Sequence, residues 1–311
     1  MNSFCRYMED IMKNAILFGA NGYLGRHIAY FLMQENIDFL AVDYLPTSVD
    51  GHPNYLQLDV MDQEAISAVD FSADYIFAFA GLTGTEIGFD QYEKFIQVNE
   101  LGLLNILNHH NSSSSSARII FPSTRLVYKG VKDTPLVEES EKEARTIYAQ
   151  NKLACENYLR MYHNYYDIDY TVFRICIPYG NMLDDNYSYG TIGMLLSKAA
   201  KGEDLTLYGD GGLRRTFTHV EDISRVIIES LSSEVTRNQI YNIGSNDNLS
   251  LLDVAKLIAS LKQIDVKFVQ WPDNALKIES GDTIFNGDKC IRDMPYRYRH
   301  SVQEWIESVK L

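Results

Sequence analysis

Apolar positions along this chain follow two alternating rhythms. Residues 15–18 form a short unbroken apolar run, after which Leu24, Ile28, Phe31 and Leu32 recur at helical spacing. Further runs at 37–42, 55–58, 75–79 and 118–121 predict four more strands, separated by helical stretches. Phe95, Val98, Leu101, Leu104 and Leu107 predict one long amphipathic helix over 89–108, its apolar side interrupted by Asn99. Another helix is expected over 141–162, opening near the acidic run Glu138, Glu139, Glu141 and Glu143, which suits an N-terminal dipole. Fully apolar strands alternating with helices predict an α/β fold, a doubly wound parallel sheet with ligands at the carboxyl ends of its strands. Asp59, Gly81, Thr83 and the pair Ser123–Thr124 fall at such ends.

The first strand-to-helix turn carries Gly19-x-x-Gly22-x-x-Gly25. Gly19 permits the tight turn, Gly22 lets backbone approach a pyrophosphate, and Gly25 lets the new helix pack close to the sheet. The free N–H groups of that helix then face the phosphates. A glycine triplet alone is weak evidence, because a glycine-rich surface turn looks the same. Here the second strand ends in Asp43, 18 residues beyond Gly25, where a carboxylate accepts from both ribose hydroxyls and repels a 2′-phosphate. The unit predicts dinucleotide binding, with NAD favoured over NADP.

Composition narrows the partners. A length of 311 residues allows two domains or one large one with lobes, and 46% hydrophobic content suits a globular enzyme. A formal charge of −14 argues against nucleic acid or an anionic membrane as partner, so an anionic substrate must be met by local Arg or Lys. Cys5, Cys155, Cys176 and Cys290 are few and scattered, which fits a reducing cytoplasm. No His or Cys spacing suggests a metal, and His109–His110 end a helix, where a dipole or capping role is simpler. Residues 1–12 lack a signal-peptide core and are expected to be a poorly ordered start; no run of 18 apolar residues occurs.

Tyr148 and Lys152 lie one turn apart on the expected 141–162 helix, where i and i+4 side chains are neighbours. A Lys ammonium beside a phenol favours the phenolate and makes a general base. With 21 tyrosines, roughly one such spacing arises by chance. Tyr128 and Lys132 match it too, but flank Gly130 and precede Pro135 in an expected loop.

Taken in order, the glycine turn, Asp43, Asp59–Val60, Asn99, Ser123–Thr124 before Val127–Tyr128, and Tyr148 with Lys152 resemble the extended short-chain dehydrogenases/reductases, in particular sugar-nucleotide epimerases and dehydratases. Phe173–Arg174 before Pro178-Tyr179-Gly180, Leu207-Tyr-Gly-Asp-Gly-Gly212, and Arg215-Thr-Phe-Thr-His-Val220 agree. The resemblance implies a Rossmann-type domain over 13–177, with 214–245 returning to it, and a smaller C-terminal substrate-binding lobe from 178–213 and 246–311. It implies NAD held by Gly19, Gly22, Tyr23, Leu24, Gly25, Asp43, Asp59, Val60, Gly81, Asn99 and Lys152. Thr124, Tyr148 and Lys152 would be catalytic; Thr83, Thr124, Tyr148, Ile177 and Arg215 would meet the substrate, Arg215 at its pyrophosphate. It also implies a homodimer in which the helices near 89–108 and 141–162 form a four-helix bundle with their copies.

Two departures bear on the reaction. Dehydrating relatives carry an Asp-Glu or Ser-Glu pair after the threonine, where this chain has Arg125–Leu126, which disfavours dehydration. Ile177 stands where relatives often place a substrate-contacting Asn, next to Cys176, itself expected to be a small buried apolar residue. The expected function is a nucleotide-diphosphate-sugar 4-epimerase using tightly held NAD. The alternatives are a nucleotide-sugar 4-ketoreductase or dehydrogenase and a non-catalytic NAD sensor.

Overall fold

The computed structural model describes residues 13–184, 189–294 and 296–311; the expected start at 1–12, with Cys5, lies outside them. Its strands are β1 (Asn14–Phe18), β2 (Asp38–Asp43), β3 (Tyr55–Gln57), β4 (Tyr75–Ala78), β5 (Arg118–Thr124), β6 (Pro135–Leu136), β7 (Tyr170–Ile175), β8 (Ile177–Tyr179), β9 (Leu205–Tyr208), β10 (Arg214–His219), β11 (Gln239–Ile243), β12 (Asp247–Ser250), β13 (Val266–Val269) and β14 (Ile284–Phe285). Seven form one parallel sheet in the order β3-β2-β1-β4-β5-β7-β11.

Alternation along β1 shows why its run is unbroken. Ala15 and Leu17 pack with Ile28 and Leu32 of the helix Tyr23–Gln34 and with Ile223, Val226 and Ile227 of the helix Val220–Ser230. Ile16 and Phe18 face the other way, toward Leu103, Ile106 and Leu107 of the helix Gly102–Ser112 and Cys155 and Leu159 of the helix Ile147–Tyr166. Both faces are covered, so all four positions from Ala15 to Phe18 are apolar. The order reverses between β1 and β4, and the crevice outside their carboxyl ends holds the glycine turn.

Three expectations change. The stretch 89–108 is not one helix: short turns at Ile87–Asp90 and Tyr92–Ile96 lead into a π-helical turn, Gln97–Leu101, before the regular helix resumes. The π turn points Asn99 inward, where its amide bonds both backbone groups of Leu82. It also leaves Leu101 exposed. The second helix starts at Ile147, capped by the Thr146 hydroxyl accepting from the Ala149 N–H at 3.1 Å, not at the acidic run. Glu138 is buried instead, accepting from the Asn242 N–H at 2.8 Å, and Lys142 bridges Tyr128 in an extended segment.

The segment 214–245 is divided as well. β10, expected beside the large sheet, pairs with β8 and β12, and its Phe217 joins Tyr179, Ile192, Leu196 and Ile258 in the core of the C-terminal lobe. The helix Val220–Ser230 and β11 do reach the large sheet. No helix among the described residues is long and apolar enough to cross a membrane.

Candidate active site

The groove begins where β1 ends. Gly19 has φ +83°, and a Cβ there would lie 2.6 Å from the Phe79 carbonyl carbon and the Ala80 nitrogen. A Cβ on Gly25 would lie 2.0 Å from the Gly19 oxygen, so the helix can only start this close to the turn as glycine. Gly22 precedes that helix and no side chain caps it, which leaves the first-turn N–H groups and the positive dipole end to an outside anion. This cradle fits a dinucleotide pyrophosphate.

On one side a cavity of about 510 Å³ is lined by Asn21, Gly22, Asp43, Tyr44, Asp59, Val60 and Gly81. Asp43 is buried, its two oxygens accepting from the Asn21 N–H at 3.0 Å and the Leu45 N–H at 3.2 Å. Asp59 accepts from the Met61 N–H at 3.0 Å. Asn99 stands behind this wall: Oδ1 accepts from the Leu82 N–H at 2.7 Å and Nδ2 donates to the Leu82 carbonyl at 3.1 Å, which fixes the end of β4. A Cβ on Gly81 would be 3.0 Å from Asn99 Oδ1, so a larger residue there would press on that side chain.

On the other side a second cavity, of about 530 Å³, shares Gly19, Gly22, Gly81 and Leu82 and adds Tyr23, Leu24, Gly25, Thr83, Thr124, Arg125, Tyr148, Lys152, Ile177 and Tyr189. Thr124 ends β5 and lines this cavity together with Tyr148, which stands in the first turn of the helix Ile147–Tyr166. Lys152, one turn on, is buried with Nζ 4.4 Å from the Phe121 ring centre and 5.9 Å from that of Tyr148. Thr83 Oγ1 meets Tyr189 Oη at 2.8 Å, and the Tyr189 ring stacks on Tyr23 at 5.0 Å. The fold therefore brings Thr83, Thr124, Tyr148, Lys152 and Ile177 into one cleft beside the glycine turn.

The electrostatics depart from the spacing argument. Burial drives the Tyr148 phenol well above its usual value, with Tyr189 adding to the rise and the nearby Thr124 side chain opposing it. Burial also pushes the Lys152 ammonium down to about 8. In the protein alone both groups are shifted toward their neutral forms, so the lysine does not by itself produce a phenolate.

Arg215 lies apart from the lining. It is buried, donating to the Arg214 and Gly281 carbonyls and pairing with Glu279 Oε1 at 2.6 Å. Tyr128 is buried as well: its hydroxyl donates to Asn242 Oδ1 at 2.6 Å and accepts from Arg174 Nη1 at 2.6 Å, while Arg174 forks onto Glu156 at 2.6 and 2.9 Å. That network braces Ser123, which donates to Glu156. Cys176, at the cleft wall, is buried and donates to the Thr283 carbonyl at 3.3 Å. Two open hollows of similar volume, near Lys13 and Arg299 and near Asp74 and Arg237, lack both the glycine turn and a tyrosine–lysine pair at that spacing.

Sequence reading overlooked several lining residues. Asn21, Tyr44, Leu82, Thr85 and Tyr189 sit in loops that only the fold carries to the groove, without a spacing to flag them. The fold also gathers His219, Glu221 and His300, whose ligating atoms lie within 4.8 Å of one another. His219 Nδ1 accepts from the Glu221 N–H as a helix cap, His300 Nε2 meets Glu221 Oε2 at 2.9 Å, and the two ring centres lie 4.0 Å apart, tilted by 31°. Burial holds His219 down to about 3.

Comparison with known proteins agrees with this geometry. The chain is 27% identical over 273 residues to the UDP-N-acetyl-alpha-D-glucosaminuronate decarboxylase of Bacillus cytotoxicus, covering 84% of each chain. It is 24% identical over 309 residues to the CDP-paratose 2-epimerase of Salmonella typhi, covering 88% of this chain and 90% of that one. Its fold matches the solved UDP-glucose 4-epimerase of Thermus thermophilus in complex with NAD, with a TM-score of 0.83 at 21% identity over 94% of this chain and 96% of that one. The sequence model of the NAD dependent epimerase/dehydratase family matches residues 15–244, and with the glycine turn, Asp43 and the Thr124–Tyr148–Lys152 cleft in place, the chain belongs to that NAD-dependent enzyme family.

Proposed function

We propose that the protein is a nucleotide-diphosphate-sugar 4-epimerase that oxidises one sugar carbon and reduces it again from the other side without net redox. One observation carries the reading: the cleft that joins Thr124, Tyr148 and Lys152 to the glycine turn has no carboxylate among its described lining residues. NAD, when bound, supplies hydride acceptance and return. Thr124 orients the reacting hydroxyl, Tyr148 Oη takes up and gives back its proton, and Lys152 holds the ribose hydroxyls and keeps the tyrosine side chain in register. Eliminating water would need a further acid and base, and Arg125–Leu126 supply neither.

In this reading Gly19, Gly22, Tyr23, Leu24 and Gly25 cradle the pyrophosphate of NAD, Asp43 takes its adenosine ribose, and Asp59, Val60, Gly81 and Asn99 shape the wall between. Thr83 and Ile177 border the sugar. Arg215, held by Glu279, reaches the substrate diphosphate only if that ion pair opens. The substrate enters between the large-sheet domain and the lobe formed by 178–213 and 246–311.

The protein works as a homodimer in the cytoplasm. Phe89, Tyr92, Ile96 and Leu101 remain exposed on one helical stretch and Met161 and Tyr165 on the other, an apolar surface suited to a second copy. Phe95 and Leu107 of the expected stripe instead pack inward. The three described cysteines are free and buried, as a reducing compartment allows. A monomer at micromolar concentration in sedimentation would retire the dimer.

The test of the reaction is to give the purified protein UDP-, GDP-, CDP- and dTDP-hexoses without added cofactor. One C4 pair should reach an equilibrium mixture with no lasting rise in reduced nicotinamide. Reaction only with a 4-keto sugar and stoichiometric reduced cofactor would make it a reductase. Tight NAD binding with no turnover of any substrate would leave the sensor.

A further inference from the structure

Directly after Thr124 the cleft carries an arginine that the described protein does not neutralise. Arg125 lines the Tyr148 side of the groove, and its Nη1 donates to Ser280 Oγ at 3.2 Å and Thr283 Oγ1 at 3.4 Å. Both partners are uncharged hydroxyls. Among the described residues it forms no ion pair, although most of the chain's other arginines do. The acid whose field reaches it is Glu279, and that carboxylate is already committed: Oε1 accepts from Arg215 Nη2 at 2.6 Å and from the Gly281 N–H at 3.1 Å. Arg215 in turn repels Arg125. Of these groups, two guanidiniums face one carboxylate, and that carboxylate is bonded to Arg215.

The imbalance stands out against the rest of the molecule. The chain has a formal charge of −14, yet the described lining of this cavity includes Arg125 and Lys152 and no Asp or Glu. Arg125 is half-buried, and charges withdrawn from water are ordinarily paired, because an unpaired one loses hydration without compensation. Desolvation lowers the Arg125 guanidinium to about 10, so it is still charged at neutral pH. Its two hydroxyl anchors hold Nη1 without touching its charge, and a planar guanidinium donor set suits a carboxylate.

We propose that Arg125 selects a sugar nucleotide whose hexose bears a carboxylate, a uronic acid, by forming the ion pair that no described residue supplies. The proposal rests on the nucleotide-sugar reading above and deepens it. Placement favours the sugar carboxylate over the substrate diphosphate. Arg125 is the chain neighbour of Thr124 and lines the same cavity as the proton-carrying Tyr148. In a hexose oxidised at C4 the exocyclic C6 is two bonds from the reacting carbon, whereas the diphosphate hangs from C1 across the ring.

The experiment is calorimetric binding of UDP-glucose and UDP-glucuronate, with the dTDP pair alongside, to the NAD-loaded protein, to Arg125→Met and to Arg125→Lys. Each preparation is checked by thermal unfolding and for retained NAD. The readout is the ratio of uronate to neutral-sugar affinity within one preparation, so a general loss of folding does not imitate the result. The wild-type ratio should be about 10 to 100, as a charge-assisted fork supplies. In Arg125→Met it should fall to near one, and Arg125→Lys, which keeps the charge but loses the fork, should stand between. A wild-type ratio near one, or a ratio unchanged in Arg125→Met, overturns the proposal. So does an equal loss for both sugars, which would assign Arg125 to the diphosphate and leave the nucleotide-sugar reading standing. Failure of the wild type to bind either member of both pairs removes that reading and this proposal together. If Arg125→Met does not fold, the Lys variant decides: an unchanged ratio there excludes the fork.

Discussion

Replacing Gly25 with alanine tests the turn on which the whole groove depends. The new Cβ would lie 2.0 Å from the Gly19 oxygen, 2.9 Å from its carbonyl carbon and 3.1 Å from the Ala20 Cα. All three are backbone atoms, and Gly19 is itself wedged against Phe79 and Ala80 at the end of β4. No side chain can swing aside, so the helix Tyr23–Gln34 must withdraw from the turn by roughly 1 Å, and overpacking of this kind costs about 1–3 kcal/mol. In a protein of this size each kcal/mol lowers the melting temperature by about 2–4 °C, so a fall of roughly 2–12 °C is expected. A displacement of about 1 Å in a positioned site also costs on the order of 100-fold in function, here in affinity for NAD. Gly22→Ala is the contrast. Its Cβ would meet only the Gly19 oxygen, at 3.3 Å, and its φ of −73° is open to any residue. Stability should change by less than about 1 kcal/mol, while the methyl group, entering a groove that Gly22 lines on both sides, should still weaken NAD. Nicotinamide released on denaturation and thermal unfolding read the two effects separately. Retention of NAD at the wild-type melting temperature in Gly25→Ala would refute the steric account of the turn. Full NAD affinity in both variants would take the dinucleotide out of this groove.

Other substitutions separate the roles of neighbouring groups. Tyr148→Phe removes the proton carrier and keeps the ring, so turnover should fall about 100- to 10,000-fold with little change in melting temperature; near-normal turnover would exclude it. Tyr128→Phe should do the opposite, costing about 1–3 kcal/mol because Arg174 and Asn242 lose a buried partner, while turnover of the folded enzyme persists. Asp43→Ala should weaken NAD far more than NADP in a titration of cofactor-free protein, and equal losses would remove Asp43 from the ribose site. Because Lys152 is held near 8 against an ordinary 10.5, the unfolded chain binds a proton in that interval that the folded chain does not. Stability of the cofactor-free protein should therefore rise with pH between about 8 and 10.5, by up to about 1.4 kcal/mol per pH unit, and that rise should vanish in Lys152→Met. Denaturant midpoints across the window that run parallel for both proteins would contradict the assigned burial.

The strands of the large sheet are legible in sequence because they are covered on both faces: a run such as Ile16, Leu17 and Phe18 has no solvent side to break it. What escapes the pattern is set by partners distant in sequence. The π turn at Gln97–Leu101 exists where Asn99 must reach the backbone of Leu82, and nothing in the spacing of leucines announces that reach. Glu138 resembles the acidic approach to a helix, but the fold uses it to satisfy Asn242, a residue on a strand more than a hundred positions away. β10 has the pattern of a strand, yet its apolar residues cannot say which sheet they will join; Phe217 packs into the lobe and draws the strand with it.

The site is legible to the extent that local geometry determines it. Tyr148 and Lys152 are neighbours on any helix, and Tyr128 drops out once Arg174 and Asn242 are seen to enclose it. Spacing carries no information about burial, and burial reverses the electrostatic argument. A lysine beside a phenol in water would lower the phenol's pKa, but within this cleft desolvation outweighs that attraction, raising Tyr148 and lowering Lys152 to about 8. Either charge becomes favourable only with a counter-charge in the cleft. The same reasoning applies to Arg125, which in the sequence registers only as the absence of an acid. In the fold it is a guanidinium held by two hydroxyls, with no carboxylate of its own among the described residues. A cleft whose described lining sets a tyrosine, a lysine and an arginine together without a carboxylate binds most favourably whatever brings the opposite charge, so ligand binding and the protonation of these groups should be coupled.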